Sequence, residues 1–134
     1  MAEKIVITYE NEEFLARISE MSGQPITRCD QCGTCSASCP MVAEMDVTPS
    51  QMMRMVQLGQ SEVLETRAMW FCASCFTCTV RCPRGLDLSR VAESLRQVTL
   101  RRAVDHIKVS EIPRNELVEL PQIALVAGMR KFTG

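Results

Sequence analysis

The sequence predicts a mainly α-helical fold built around two cysteine-rich loops that repeat one another. All eight cysteines of the 134-residue chain fall in two runs, RCDQCGTCSASCPM from Arg28 and WFCASCFTCTVRCPR from Trp70, each spaced C-x2-C-x2-C-x3-C with proline directly after the last. Every cysteine of the second run lies 43 positions after its counterpart in the first, so the pattern is an internal repeat with a pseudo-two-fold organisation. Helix-start signals with apolar residues at helical spacing follow each run, whereas only one short stretch reads as a strand.

Taken in order, Ile5, Val6, Ile7 and Tyr9 suggest that strand. Asn11 is placed to cap a first helix with Glu12 and Glu13 in its opening turn, Phe14, Leu15 and Ile18 on its apolar face, and Gly23 just past its end. The first cysteine run follows. Thr48, Pro49 and Gln51 then spell a helix start: a cap, a proline at the first helical position, and the partner of a capping box. Met52, Met55 and Val56 share a face of that helix, and Gly59 ends it. After the second run, Asp87 is expected to cap a longer helix with Leu88, Val91, Ala92, Leu95 and Val98 facing inward. Asp46 and Asp87 stand in the same loop of the two halves. Pro113 breaks the chain, and Pro121 opens a last helix whose end carries Arg130 and Lys131.

The length is one domain's worth, residues 1–134, with the cysteine loops at 28–41 and 71–84. Hydrophobic residues make up 46% of the chain but aromatics only 4%, so the core is thin in large anchors and leans on whatever the cysteines bind. A formal net charge of −1 argues against a nucleic-acid binder, which needs a basic surplus for phosphate. The N-terminal MAEKIVITYENEEF lacks the apolar core and cleavage site of a signal peptide, and no segment reaches the ~20 apolar residues of a membrane span. A soluble, cytoplasmic protein is expected. In a reducing compartment clustered cysteines mark metal or redox sites rather than disulfides.

Three thiols at i, i+3 and i+6 wind around one point and can hold three corners of an iron–sulfur cubane. In two-cluster proteins with this run the fourth cysteine ligates the other cluster. The proline after it fixes φ and removes a donor, turning the chain away from its own loop. The expected sites are therefore two [4Fe–4S] clusters, one on Cys29, Cys32, Cys35 and Cys82, the other on Cys72, Cys75, Cys78 and Cys39. Zinc favours two separated C-x2-C pairs and fits a continuous run of four poorly. With ligands ionised and both clusters oxidised, the chain would carry roughly −5. Arg28, Arg81 and Arg84 beside the runs offset part of that charge or simply lie in solvent.

Met52, Met53 and Met55 read as core around the clusters, and Trp70, Phe71 and Phe76 as shields of the second. His106, the single histidine, reads as a surface residue. No dinucleotide fingerprint, P-loop or nucleophile beside a histidine is present, and no thiol is left over for catalysis, so no catalytic residue is assigned.

Gln31-Cys32-Gly33-Thr34-Cys35, Trp70-Phe71-Cys72 and Arg81-Cys82-Pro83-Arg84 with the helix that follows resemble the C-type iron–sulfur subunits of heterodisulfide reductase. The resemblance runs from the helix before Cys29 to the helix after Asp87. It implies an α-helical ferredoxin fold, similar to the two-cluster half of succinate dehydrogenase iron–sulfur subunits. The long offset agrees with this, because compact βαββαβ ferredoxins leave less chain between their motifs. It also implies an electron carrier between two heterodisulfide reductase partners, an A-type protein with flavin and iron–sulfur centres and a B-type catalytic protein that handles the disulfide. The chain ends at Gly134, short of the longer C-terminal extension typical of methanogen relatives, which leaves the terminal substrate open between the methanogenic heterodisulfide and another disulfide or sulfur compound. A free-standing dicluster ferredoxin, or an iron–sulfur component of another respiratory or sulfur-oxidising oxidoreductase, is the alternative. Ile123, Leu125, Val126 and Met129 on the last helix suit either a docked subunit or a core.

Overall fold

A computed structural model of the chain describes residues 8–101 and 111–130. Contacts divide the chain into two compact units, Met1–Thr99 and Leu100–Gly134. The first unit is built from α1 (Tyr9–Ser22), α2 (Thr34–Ser38), α3 (Pro49–Gln57), α4 (Ala68–Phe71), α5 (Thr77–Arg81) and α6 (Leu88–Leu100), the last ending at the unit boundary. Single 3-10 turns at Ile26–Arg28, Val42–Glu44 and Ser61–Glu65 link them. The second unit holds α7 (Arg114–Glu119) and α8 (Gln122–Arg130). Among the described residues there is no strand, and no helix is long and apolar enough to cross a membrane.

The expected strand at Ile5–Ile7 lies outside the described residues, while Tyr9 opens α1. Thr8, not Asn11, is the cap. Asn11 sits three positions on, where its Oδ1 accepts the Thr8 N–H at 2.8 Å. Its amide also donates to the Gly59 carbonyl at 2.9 Å, a tie across the fold that no local signal announces. Gly23, at φ 64°, ends α1 as expected.

The Thr48 box closes as the spacing predicts: Thr48 N–H donates to Gln51 Oε1 at 2.8 Å, and Gln51 N–H to Thr48 Oγ1 at 3.4 Å. The buried arc of α3 is Met52, Met53 and Val56, with Met55 only half-buried. Asp87 Oδ1 accepts the N–H groups of Ser89 (3.0 Å) and Arg90 (3.2 Å), capping α6, whose expected apolar face is buried throughout. Asp46 plays a different part. Its two oxygens accept the Val47 and Arg67 N–H groups, tying its loop to the start of α4, so it is not the counterpart of Asp87. Pro113 caps α7, a helix not anticipated from sequence, and α8 follows Pro121 as expected. His106 and Lys131 lie outside the described residues. On α8, Ile123 and Val126 are exposed and Leu125 is half-buried.

The fully buried side chains are aliphatic or Met, led by Ile18, Ile26, Met53, Met69 and Leu95, with no aromatic among the described core. Cys29, Cys35, Cys72, Cys78 and Cys82 pack against this cluster, so the core grades directly into the thiols. Gly59, at φ +67°, sets a tight crossing: a Cβ there would land on the Asn11 backbone. Gly23 has the same left-handed geometry and open space around it. Gly23→Ala should therefore lose only the ~1–2 kcal/mol of a left-handed alanine, while Gly59→Ala should lose clearly more by displacing the start of α1. Denaturant melts of the two holoprotein variants check this; equal losses would show that the Asn11 crossing yields at no cost.

Candidate metal centres

The repeat is geometric as well as sequential. Gln31 (φ 57°) and Gly33 (φ 79°) are left-handed in the first loop, and their counterparts Ser74 (φ 51°) and Phe76 (φ 59°) are left-handed in the second. Such residues alternating with ordinary ones turn successive backbone N–H groups toward one concavity, a nest suited to an anion or an iron–sulfur centre. Each loop then enters a five-residue helix, α2 or α5, which ends at a cysteine in extended conformation: Cys39 at φ −77°, ψ 120° and Cys82 at φ −68°, ψ 119°. Pro40 and Pro83 follow, and neither α2 nor α5 continues past its fourth cysteine.

Two cavities result. One, enclosing about 370 Å³ of empty space including its open mouth, is lined by Cys29, Cys32, Cys35 and Cys82, with Ser50, Arg84 and Leu86 nearby. The other, about 410 Å³, is lined by Cys72, Cys75, Cys78 and Cys39, with Met41, Met45, Met52, Leu88 and Ser89. Three thiols of one run thus share each cavity with the fourth thiol of the other run. Ser89 adds an independent sign of a missing partner: its Oγ is buried without a hydrogen bond on the wall of the second cavity. A cluster sulfur would satisfy it, so the donor set and the orphaned hydroxyl both fit an iron–sulfur group.

The thiols differ by depth in the same way in both halves. Cys32 and Cys75 are exposed, and the hydroxyls of Thr34 (3.3 Å) and Thr77 (3.4 Å) together with neighbouring backbone N–H groups pull their ionisation below the ordinary thiol range. Burial pushes the Cys35 and Cys78 thiols up, helped by charge on neighbouring cysteines. A cationic centre between the thiols would favour the ionised form that burial opposes.

Several side chains expected around the sites stand elsewhere. Trp70 and Phe76 are about half exposed, Phe71 lies 5.0 Å beneath the Arg67 guanidinium, and none of the three is among the residues lining the cavities. Met and Leu side chains line the second cavity instead. Arg84 pairs with Asp30, so its charge is compensated, and Arg28 and Arg81 are exposed. Sequence reasoning passed over Gln57 and Arg96 and took Gln31 only as a motif position. Gln57 Nε2 donates to the carbonyls of Ile26 and Cys29, which leaves its Oε1 to accept from Gln31 (3.3 Å) and turns the Gln31 amide N–H toward Cys29 Sγ (3.4 Å).

Residues 28–87 match the 4Fe-4S dicluster domain family. The chain is 31% identical over 103 residues to the C subunit of the ferredoxin:CoB-CoM heterodisulfide reductase of Methanosarcina mazei, covering 75% of this chain and 64% of that one. It is 33% identical over 107 residues to the second iron-sulfur C subunit of the CoB–CoM heterodisulfide reductase of Methanocaldococcus jannaschii, covering 71% and 58%. Against the iron-sulfur C subunit of the CoB–CoM heterodisulfide reductase of Methanopyrus kandleri it is 31% identical over 103 residues, covering 76% and 49%. The chain therefore spans about half to two thirds of the length of these relatives. Its cofactors are two [4Fe–4S] clusters. Residues 28–87 thus match a 4Fe-4S dicluster domain, and the chain around them is similar to the C subunits of heterodisulfide reductases.

Proposed function

We propose that this chain is the electron-relay component of a heterodisulfide reductase-like complex, linking a partner with flavin and iron–sulfur centres to a catalytic partner that handles a disulfide or thiol. Cys29, Cys32, Cys35 and Cys82 hold one cluster; Cys72, Cys75, Cys78 and Cys39 hold the other. Each bound cluster supplies one-electron chemistry with little rearrangement of its surroundings.

The observation that carries the reading is the seam between the two sites. The helices α2 and α5 pack on one another, and the Cys78 thiolate is close enough to push the Cys35 thiol up. The helices that carry Cys35 and Cys78, one from each site, thus adjoin, while Cys32 and Cys75 are exposed. This arrangement gives an entry, an internal step and an exit. All eight cysteines serve as ligands, so no thiol is left to attack a disulfide.

The holoprotein alone should show no measurable turnover of a CoB–CoM-type heterodisulfide with a low-potential dye, whereas the complex isolated anaerobically with its partners should. Comparable rates from the isolated chain would replace the relay reading with that of an enzyme.

A further inference from the structure

One clamp serves both halves of the repeat, but it is built from different side chains. In the first half, Gln57 donates to the carbonyls of Ile26 (3.1 Å) and Cys29 (2.9 Å). In the second, one guanidinium nitrogen of Arg96 donates to the carbonyls of Met69 (2.7 Å) and Cys72 (3.3 Å). Met69 and Cys72 are the repeat counterparts of Ile26 and Cys29, so Gln57 and Arg96 fill one structural role. The sequence hides this because Pro49 follows Cys39 by ten positions while Leu88 follows Cys82 by only six.

The clamp of the first half is neutral. That of the second carries a permanent charge, since arginine stays protonated, and its side chain is only 16% exposed. Glu93, bonded to it at 2.8 Å, is 54% exposed, so water and salt screen its opposing charge more strongly. The serines at the second position of α3 and α6 differ in the same sense. Ser50 Oγ already accepts from Ser36 at 2.8 Å, whereas Ser89 Oγ has no protein partner and faces the second cavity. The first site has neutral donors of its own, Gln31 Nε2 and the Leu86 N–H, each 3.4 Å from a cysteine sulfur. Two long neutral hydrogen bonds are outweighed by a largely buried unit charge, whose interaction energy falls off only as 1/r.

We propose that Arg96, aided by Ser89, makes the site of Cys72, Cys75, Cys78 and Cys39 the more easily reduced of the two, so that an electron entering the pair settles there. This rests on the reading of the cysteines as two four-thiolate cluster sites. Reduction adds one negative charge to a site, and a nearby cation and a hydrogen bond to sulfur both favour the reduced form.

The test is EPR-monitored potentiometry of the anaerobic full-length holoprotein, with mediators supplying one electron per site. The wild type should give two waves. Arg96→Gln installs the first half's own clamp, keeping a carbonyl donor and removing the charge. The upper wave should then fall, the reduced-to-oxidised ratio at fixed potential dropping about tenfold, ~59 mV for a one-electron couple, with the lower wave unmoved. Glu93→Gln, on the exposed face, should raise the same wave, and decides the matter should Arg96→Gln lose its clusters. Insensitivity of the upper wave, or movement of the lower wave instead, overturns the proposal. Cys39→Ala separates it from the ligand assignment. Loss of the wave that Arg96→Gln moves supports both; loss of the other wave ends the exchanged ligation while leaving the role of Arg96 beside Cys72 intact.

Discussion

Replacing Cys82 with alanine is expected to strip the cluster held by the other cysteine run, and replacing Cys39 to do the same in reverse. Cys82 belongs in sequence to the second run, yet it lines the cavity of Cys29, Cys32 and Cys35, and its sulfur accepts the Leu86 N–H there at 3.4 Å. Cys39 sits likewise with Cys72, Cys75 and Cys78. Wild-type holoprotein should contain about eight iron and eight sulfide per chain, and either variant about half of that. The decisive comparison is spectroscopic: Cys82→Ala should lose the EPR signal that Cys29→Ala loses, and Cys39→Ala the one that Cys72→Ala loses. If Cys82→Ala and Cys72→Ala silenced the same signal, each run would be holding its own cluster and the exchange would be wrong. A catalytic partner assayed with an artificial donor should stay active throughout, because only the relay is cut.

The parts of this fold legible in the sequence are those governed by short-range rules. The Thr48–Gln51 box, the Asp87 cap, the Gly23 stop and the α6 face each depend on side chains within a few positions, and each stands where its local chemistry puts it. Thiols fixed at i, i+3 and i+6 announced the cofactor for the same reason. What stayed hidden depends on distance or on a broken offset. The tie from Asn11 to Gly59 spans 48 positions, and it accompanies a cap three residues earlier than Asn11 alone suggests. The equivalence of Gln57 and Arg96 is masked by the shorter second loop, so it emerges only when the carbonyls they grip are compared. The aromatics beside the second run misled because composition says nothing of direction: Phe76 takes the left-handed place that glycine holds in the first loop and stays half exposed.

Stripping the clusters anaerobically with a chelator is expected to convert the first unit from a fixed fold to a loose, association-prone state. Its buried aliphatic and Met side chains contribute ~1.5–3 kcal/mol each, but no aromatic anchors the described core, and five cysteines lie on its boundary. The two loops hold four left-handed residues, three of them not glycine, and ordering each residue of such a loop costs ~1–2 kcal/mol in backbone freedom. The clamps at Cys29 and Cys72 hold only the start of each loop, and ligation at the cavities offsets the rest of that cost, so α2 and α5, which carry the inner cysteines, should lose amide-exchange protection first. The α1–α3 crossing, held by the Asn11 to Gly59 hydrogen bond and not by thiols, should keep some protection after they have opened. Hydrogen exchange resolved along the chain, with dye binding to report exposed apolar surface, follows both regions at once. Cluster-free protein that kept native protection in α2 and α5 would mean that the aliphatic core alone specifies the loops and that the metal is a passenger in the fold.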